Sequence, residues 1–165
     1  MKKIRNLLLL LAIVSLVGLP LLAAAGSADL PGPDGKAVWN YITKVKPYHG
    51  WALWPDKGKF YKGQHPHGAL LTTYVSPGAL KTIKDKSGSF PDGTFIVKEN
   101  YSPKKMLGAV TVMYRINGYN ADAGDWFWAK YGGNGKIMAE GKVAGCTNCH
   151  QAKIMNDWVF TGPVK

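Results

Sequence analysis

Residues Cys146-Thr147-Asn148-Cys149-His150 spell C-x-x-C-H and use both cysteines of the chain. This spacing is the attachment signature of c-type haem. Two thiols three positions apart on one helical turn can each add to a haem vinyl group. The histidine that follows then reaches the iron from the proximal side. The pattern therefore predicts one covalently attached haem c per chain, tethered by Cys146 and Cys149, with His150 as the metal ligand. A disulfide, a thioredoxin-like redox pair and a zinc site are the alternatives. Zinc wants further ligands at matched spacing, and the sequence holds no second C-x-x-C and no H-x-x-x-H. A thioredoxin-like pair follows an early strand, whereas this one lies near the C-terminus of a strand-rich chain.

The opposite face of the iron decides between chemistries. A sixth ligand from His or Met makes an electron shuttle, and an open position binds or turns over small molecules. The candidates are His49, His65, His67, Met106, Met113, Met138 and Met155, and spacing marks none of them. His65-Pro66-His67-Gly68, just ahead of a predicted strand, is the most suggestive; it also fits a surface histidine pair or a weak metal site. The methionines read as core filler.

The N-terminus places this chemistry outside the cytoplasm. Lys2, Lys3 and Arg5 precede an uncharged apolar run from Leu7 to Leu22, and Ala23 to Ala28 is small and cleavable. That is a secretory signal peptide over residues 1–28, leaving residues 29–165 as a single exported, periplasmic-type domain. Pro20 within the run argues against the alternative, an uncleaved anchor helix. Cleavage removes three cations and lowers the formal charge from +11 to +8, with Arg115 the one remaining arginine. Scattered lysines without arginine forks or a dense basic run exclude a nucleic-acid partner. They fit a solvated surface, or steering toward an acidic redox partner protein or an anionic small molecule.

The elements that must position the motif are an antiparallel sheet of four to five strands with two to three packed helices, an α+β fold. Asp34 caps a helix running to Lys46 with Val38, Trp39, Ile42 and Val45 at helical spacing, and Pro47 stops it. Residues 48–68 read as an aromatic-rich packed loop. Strands follow at 69–75, 94–101, 107–116, 125–131 and 135–142, the last two forming a hairpin. Ser76-Pro77 starts a helix to about Lys86 with Leu80 and Ile83 inward. A helical turn holds 146–151. Trp51, Trp54, Phe95, Trp126 and Trp128 are candidate pocket walls, or simply core.

Several stretches in order carry a resemblance. Phe90-Pro91-Asp92-Gly93-Thr94-Phe95-Ile96-Val97-Lys98-Glu99-Asn100-Tyr101 comes first. Gly124-Asp125-Trp126-Phe127-Trp128, the C-x-x-C-H and Asn156-Asp157-Trp158-Val159-Phe160-Thr161 follow. From about Tyr48 onward the chain resembles the cytochrome P460 family, whose fold is shared with the cytochromes c′-beta. The resemblance implies a homodimer of mainly antiparallel sheet, one haem per chain and an open distal site. In hydroxylamine-oxidising members a lysine of the V-K-E stretch is joined to the porphyrin edge; by position this is Lys98. In a strand Lys98 and Glu99 point to opposite faces, so one can reach the haem while the other stays wet.

Those members also place a carboxylate over the distal face, on the next strand. Here Ala109-Val110-Thr111-Val112-Met113-Tyr114 offers none, which leaves His67 as the substitute proton acceptor. The reading that results is an exported mono-haem cytochrome that binds or redox-processes a small nitrogen species, nitric oxide or hydroxylamine, with Lys98 and His67 as its chemical groups. The alternative is a six-coordinate electron carrier without catalysis.

Overall fold

The computed structural model describes residues 30–165, so the expected signal peptide at 1–28 lies outside the described residues. Among the described residues no helix is long and apolar enough to cross a membrane. Asp34 caps helix α1 (Gly35–Asn40) as expected, its carboxylate accepting from the Ala37 N–H at 2.8 Å. The helix then widens into a π-type turn over Tyr41–Val45, closed by a bond from Lys46 N–H to the Tyr41 carbonyl. Val38 and Ile42 are buried against the sheet, but Val45 is exposed. The extra residue per turn carries it off the apolar stripe.

Among the described residues, seven antiparallel strands form one sheet: β1 (Ala52–Leu53), β2 (Tyr61–Lys62), β3 (Leu70–Val75), β4 (Phe95–Tyr101), β5 (Leu107–Arg115), β6 (Trp126–Gly132) and β7 (Ile137–Gly141). The five longer strands pair in chain order, β3 to β7. The loop expected at 48–68 contributes the two short strands, both paired with β3 on its outer edge. Helix α2 (Pro77–Asp85) crosses between β3 and β4. Ser76 does not cap it; its hydroxyl accepts instead from the Phe95 N–H at 3.1 Å and ties the helix start to β4. Helix α3 (Ala144–His150) begins two residues before the C-x-x-C-H and runs on into a 3-10 segment, Gln151–Asn156.

Strand alternation gives the sheet two apolar faces. One face carries Phe95, Val97, Val110, Val112, Phe127 and Tyr131 and is covered by Val38 and Ile42 of the N-terminal helix. The other carries Ile96, Met113, Trp126 and Trp128 and is covered by Ala79 and Ile83 of α2 and by Trp158 and Val159. This second face holds the site.

Glu99 does not stay wet. It is 3% exposed, opposite Lys98 on the first face. It accepts from Tyr48 Oη at 3.0 Å and Tyr101 Oη at 2.6 Å and pairs with His49 Nε2 at 3.0 Å. A buried carboxylate persists only when its lone pairs are used, and three partners use them here. Replacing Tyr48 by Phe removes one bond to a buried charge. It is expected to lower unfolding stability by about 1.5–3 kcal/mol in urea melts, and an unchanged midpoint would contradict the network.

The methionines also differ from expectation. Met113 is buried, whereas Met106, before β5, Met138, on the edge strand β7, and Met155, in the 3-10 segment after α3, are exposed. Of the five aromatics considered as pocket walls, Trp128 alone lines the cavity; Trp54 and Trp126 are core on the same side, and Trp51 and Phe95 pack on the opposite face.

Candidate functional site

A cavity of about 600 Å³ lies between the sheet and α3, lined by His67, Lys98, Cys146, Cys149 and His150 together with apolar walls such as Ile96, Met113 and Trp128. All five residues singled out from the sequence thus meet on one cavity.

Helix α3 presents both thiols and the imidazole. Cys146 is half-buried and Cys149 exposed, and they are not joined to each other. Burial pushes the Cys146 thiol up, with the Lys130 charge opposing. His150 is buried, its ring between Trp128 (centroids 4.6 Å apart) and Phe160 (5.2 Å). Its Nδ1 lies 2.6 Å from the Trp158 carbonyl. That oxygen can only accept, so Nδ1 carries the hydrogen and Nε2 keeps a lone pair. A metal-ligating histidine is held in this way. Burial lowers the His150 pKa, against the opposing effect of that hydrogen bond.

The carbonyl is aimed by a sharp turn in which Asp157 (φ 50°) and Trp158 (φ 69°) both take left-handed conformations. The Asp157 carboxylate holds the turn, accepting from the Phe90 N–H at 2.6 Å and from Arg115 Nη1 at 2.8 Å.

Strand β4 supplies the second group. Ile96, Lys98 and Asn100 share the cavity face by alternation. Burial pulls the Lys98 ammonium down to about 8.

His67 comes from the loop before β3. Gly68 allows the approach: a side chain there would begin 2.5 Å from the Tyr101 nitrogen of β4. His67 Nδ1 then sits 2.9 Å from Asn100 Oδ1. Burial and the Lys98 charge push the His67 pKa down to about 4, with the Asn100 bond opposing. The His67 and His150 ring centroids are 6.3 Å apart and the rings nearly perpendicular.

Of the other distal candidates, Met113 and Met138 line the cavity; His65 is exposed and outside the lining, and His49 is on the far face with Glu99. Asn100 is the residue that sequence reasoning missed. Its signal was its place two positions after Lys98, hence on the same strand face. Among the described residues no Asp or Glu lines the cavity, and no group of three His, Cys, Asp or Glu side chains is disposed to hold a metal ion by itself.

The donor set fits a haem. The volume is in the ~300–1,000 Å³ range of cofactor sites and the walls are largely apolar. The indole N–H of Trp128 is buried and finds no acceptor among the described residues. A family model described as Cytochrome P460 matches residues 46–161. The chain belongs to the cytochrome P460 family. Every residue lining the cavity falls inside the match, whereas α1 precedes it. Membership supports a haem-class cofactor, a redox-associated role and a small-molecule ligand. No individually curated protein matches the chain.

Proposed function

We propose that this member of the cytochrome P460 family is an exported mono-haem c-type cytochrome that binds small nitrogen species of the nitric oxide and hydroxylamine class. Cys146 and Cys149 would tether the haem, His150 would hold its iron, and Lys98 and His67 would face the bound molecule. The observation that carries this reading is the convergence of those five side chains on one cavity. When bound, haem supplies a redox-active iron whose sixth position accepts such ligands.

The protein groups do the rest. Donation from His150 Nδ1 to Trp158 orients the ring and raises the basicity of Nε2. The apolar walls, Ile96, Met113 and Trp128 among them, exclude water. Oxidation of a protonated amine needs a base, and a base near the working pH is best. His67, held near 4, accepts a proton poorly, and Lys98, near 8, is better matched. If Lys98 is consumed in a bond to the porphyrin edge, the cavity has no good base left. It therefore suits binding of a neutral diatomic better than hydroxylamine oxidation.

A six-coordinate electron carrier docking through its lysines to a redox partner is the second reading, favoured by the imidazole of His67 on the distal side. The homodimer implied by the resemblance belongs to the same proposal.

The test is the full chain expressed with c-type haem maturation machinery. The intact mass should rise by one haem, and nitric oxide should change the ferrous spectrum with saturating stoichiometry. A Lys98–porphyrin bond replaces one N–H and one C–H, and an external two-electron oxidant takes up those electrons. The linked species is thus two hydrogens lighter, and Lys98→Arg should restore the unlinked mass and an ordinary spectrum. An apoprotein mass alone would overturn the reading.

A further inference from the structure

We infer that His67 is the resting sixth ligand of the haem iron, trans to His150, and that an external ligand binds by displacing it. This rests on the haem reading above.

The tautomer of His67 is settled by its neighbour. Asn100 Oδ1 accepts from the Gly68 N–H at 3.3 Å, and Asn100 Nδ2 donates to the carbonyls of Lys98 at 2.8 Å and Ala109 at 3.3 Å. Those partners have fixed roles, so the amide has one orientation and presents oxygen to His67. Nδ1 of His67 must therefore be N–H, and Nε2 carries the lone pair. His150 is held in the same way through Nδ1 by Trp158. Each ring is anchored to its wall by Nδ1, and neither Nε2 has a hydrogen-bond partner among the described residues.

Two lone pairs cannot hydrogen-bond to one another, but both can bind one metal. Imidazoles bound trans to a metal at ~2.0–2.1 Å place their ring centroids roughly 6.4 Å apart. The observed separation is 6.3 Å. Asn100 is then a positioning residue: it selects the tautomer able to ligate.

The loop explains why the bond is reversible. His67 sits outside the regular strands, between β2 and β3, and among the described residues its ring has one hydrogen bond, to Asn100. Displacement breaks the bond to Nε2 as the bond to the incoming ligand forms, with no electron or proton exchanged. An internal ligand bound in about 99% of molecules lowers the apparent affinity for an external one roughly 100-fold. His67 thus sets the ligand threshold, and the two readings of the distal side become two states of one site.

The experiment uses holoprotein and carbon monoxide as the probe. Optical and electron paramagnetic resonance spectra of the wild type should be low-spin and six-coordinate in both oxidation states. His67→Ala should become high-spin and bind carbon monoxide roughly 100-fold more tightly in the ferrous state. His67→Gly with added imidazole should return to low-spin, which separates ligation from folding. Asn100→Leu should lose low-spin signal although His67 is present. A high-spin wild type, or a low-spin spectrum unchanged in His67→Ala, overturns the inference while leaving the haem reading intact. A preparation with no covalent haem overturns both, and shows it before any variant is made.

Discussion

The double variant Cys146→Ser, Cys149→Ser is expected to carry no covalently attached haem when produced with the maturation machinery. Residues i and i+3 of a helix lie on one face, and α3 is helical across the whole motif. Both thiols line the cavity that His150 enters. A hydroxyl cannot replace the thiol in the thioether bond, so each single variant should keep one link and the double variant none. His150 would still be able to hold iron, so any residual pigment should be extractable with acidified organic solvent. Haem that stays with the polypeptide on a denaturing gel, or in the intact mass of the double variant, would show that the tether is elsewhere.

Asp157→Ala is expected to lower unfolding stability by about 3 kcal/mol and to disturb His150 at the same time. Asp157 is largely buried, and its carboxylate joins the Phe90 backbone to Arg115. Breaking a buried ion pair by removing one partner costs about 3–5 kcal/mol because the other charge is left uncompensated. The lower end applies, since Arg115 keeps some access to water. The same residue holds the turn that delivers the Trp158 carbonyl to His150 Nδ1, and loss of such a partner typically costs 10–100-fold in metal affinity. Chemical denaturation checks the first effect, and the spectrum of the holoprotein near its midpoint checks the second. Asp157→Asn keeps an acceptor for Phe90 N–H but not the charge, so it should fall between. A variant as stable as the wild type, with an unchanged spectrum, would remove Asp157 from the support of His150.

The large elements were legible because their signals are local. The breaker-bounded β-branched runs at β3, β4 and β5 and the Gly-rich hairpin between β6 and β7 need only short-range pattern. The two-residue strands β1 and β2 were not legible, since their pairing partner is the distant edge of β3 and their own sequence has no period. Val45 was misplaced because a turn widened by one residue looks, in sequence, like an ordinary helix. Ser76 was the right residue at a helix start, yet its hydroxyl found a better-placed donor in Phe95, a residue 19 positions on.

The site divides along the same line. By itself the sequence determined that the two thiols and the imidazole of the C-x-x-C-H share one helical turn, because their spacing is local and needs no other element. It also determined that Lys98 and Glu99 face opposite ways, which follows from strand alternation. Only the tertiary structure decided that both faces are covered, so that Glu99 lies buried among Tyr48, Tyr101 and His49 while Lys98 is desolvated in the cavity. Only it brought His67 to Asn100, 33 residues away, and Asp157 to Arg115, 42 residues away. Those contacts depend on which strands lie adjacent and how closely a glycine lets a loop approach. Burial, tautomer and the lowered pKa values of Lys98 and His67 are properties of that enclosure, which no spacing along the chain encodes.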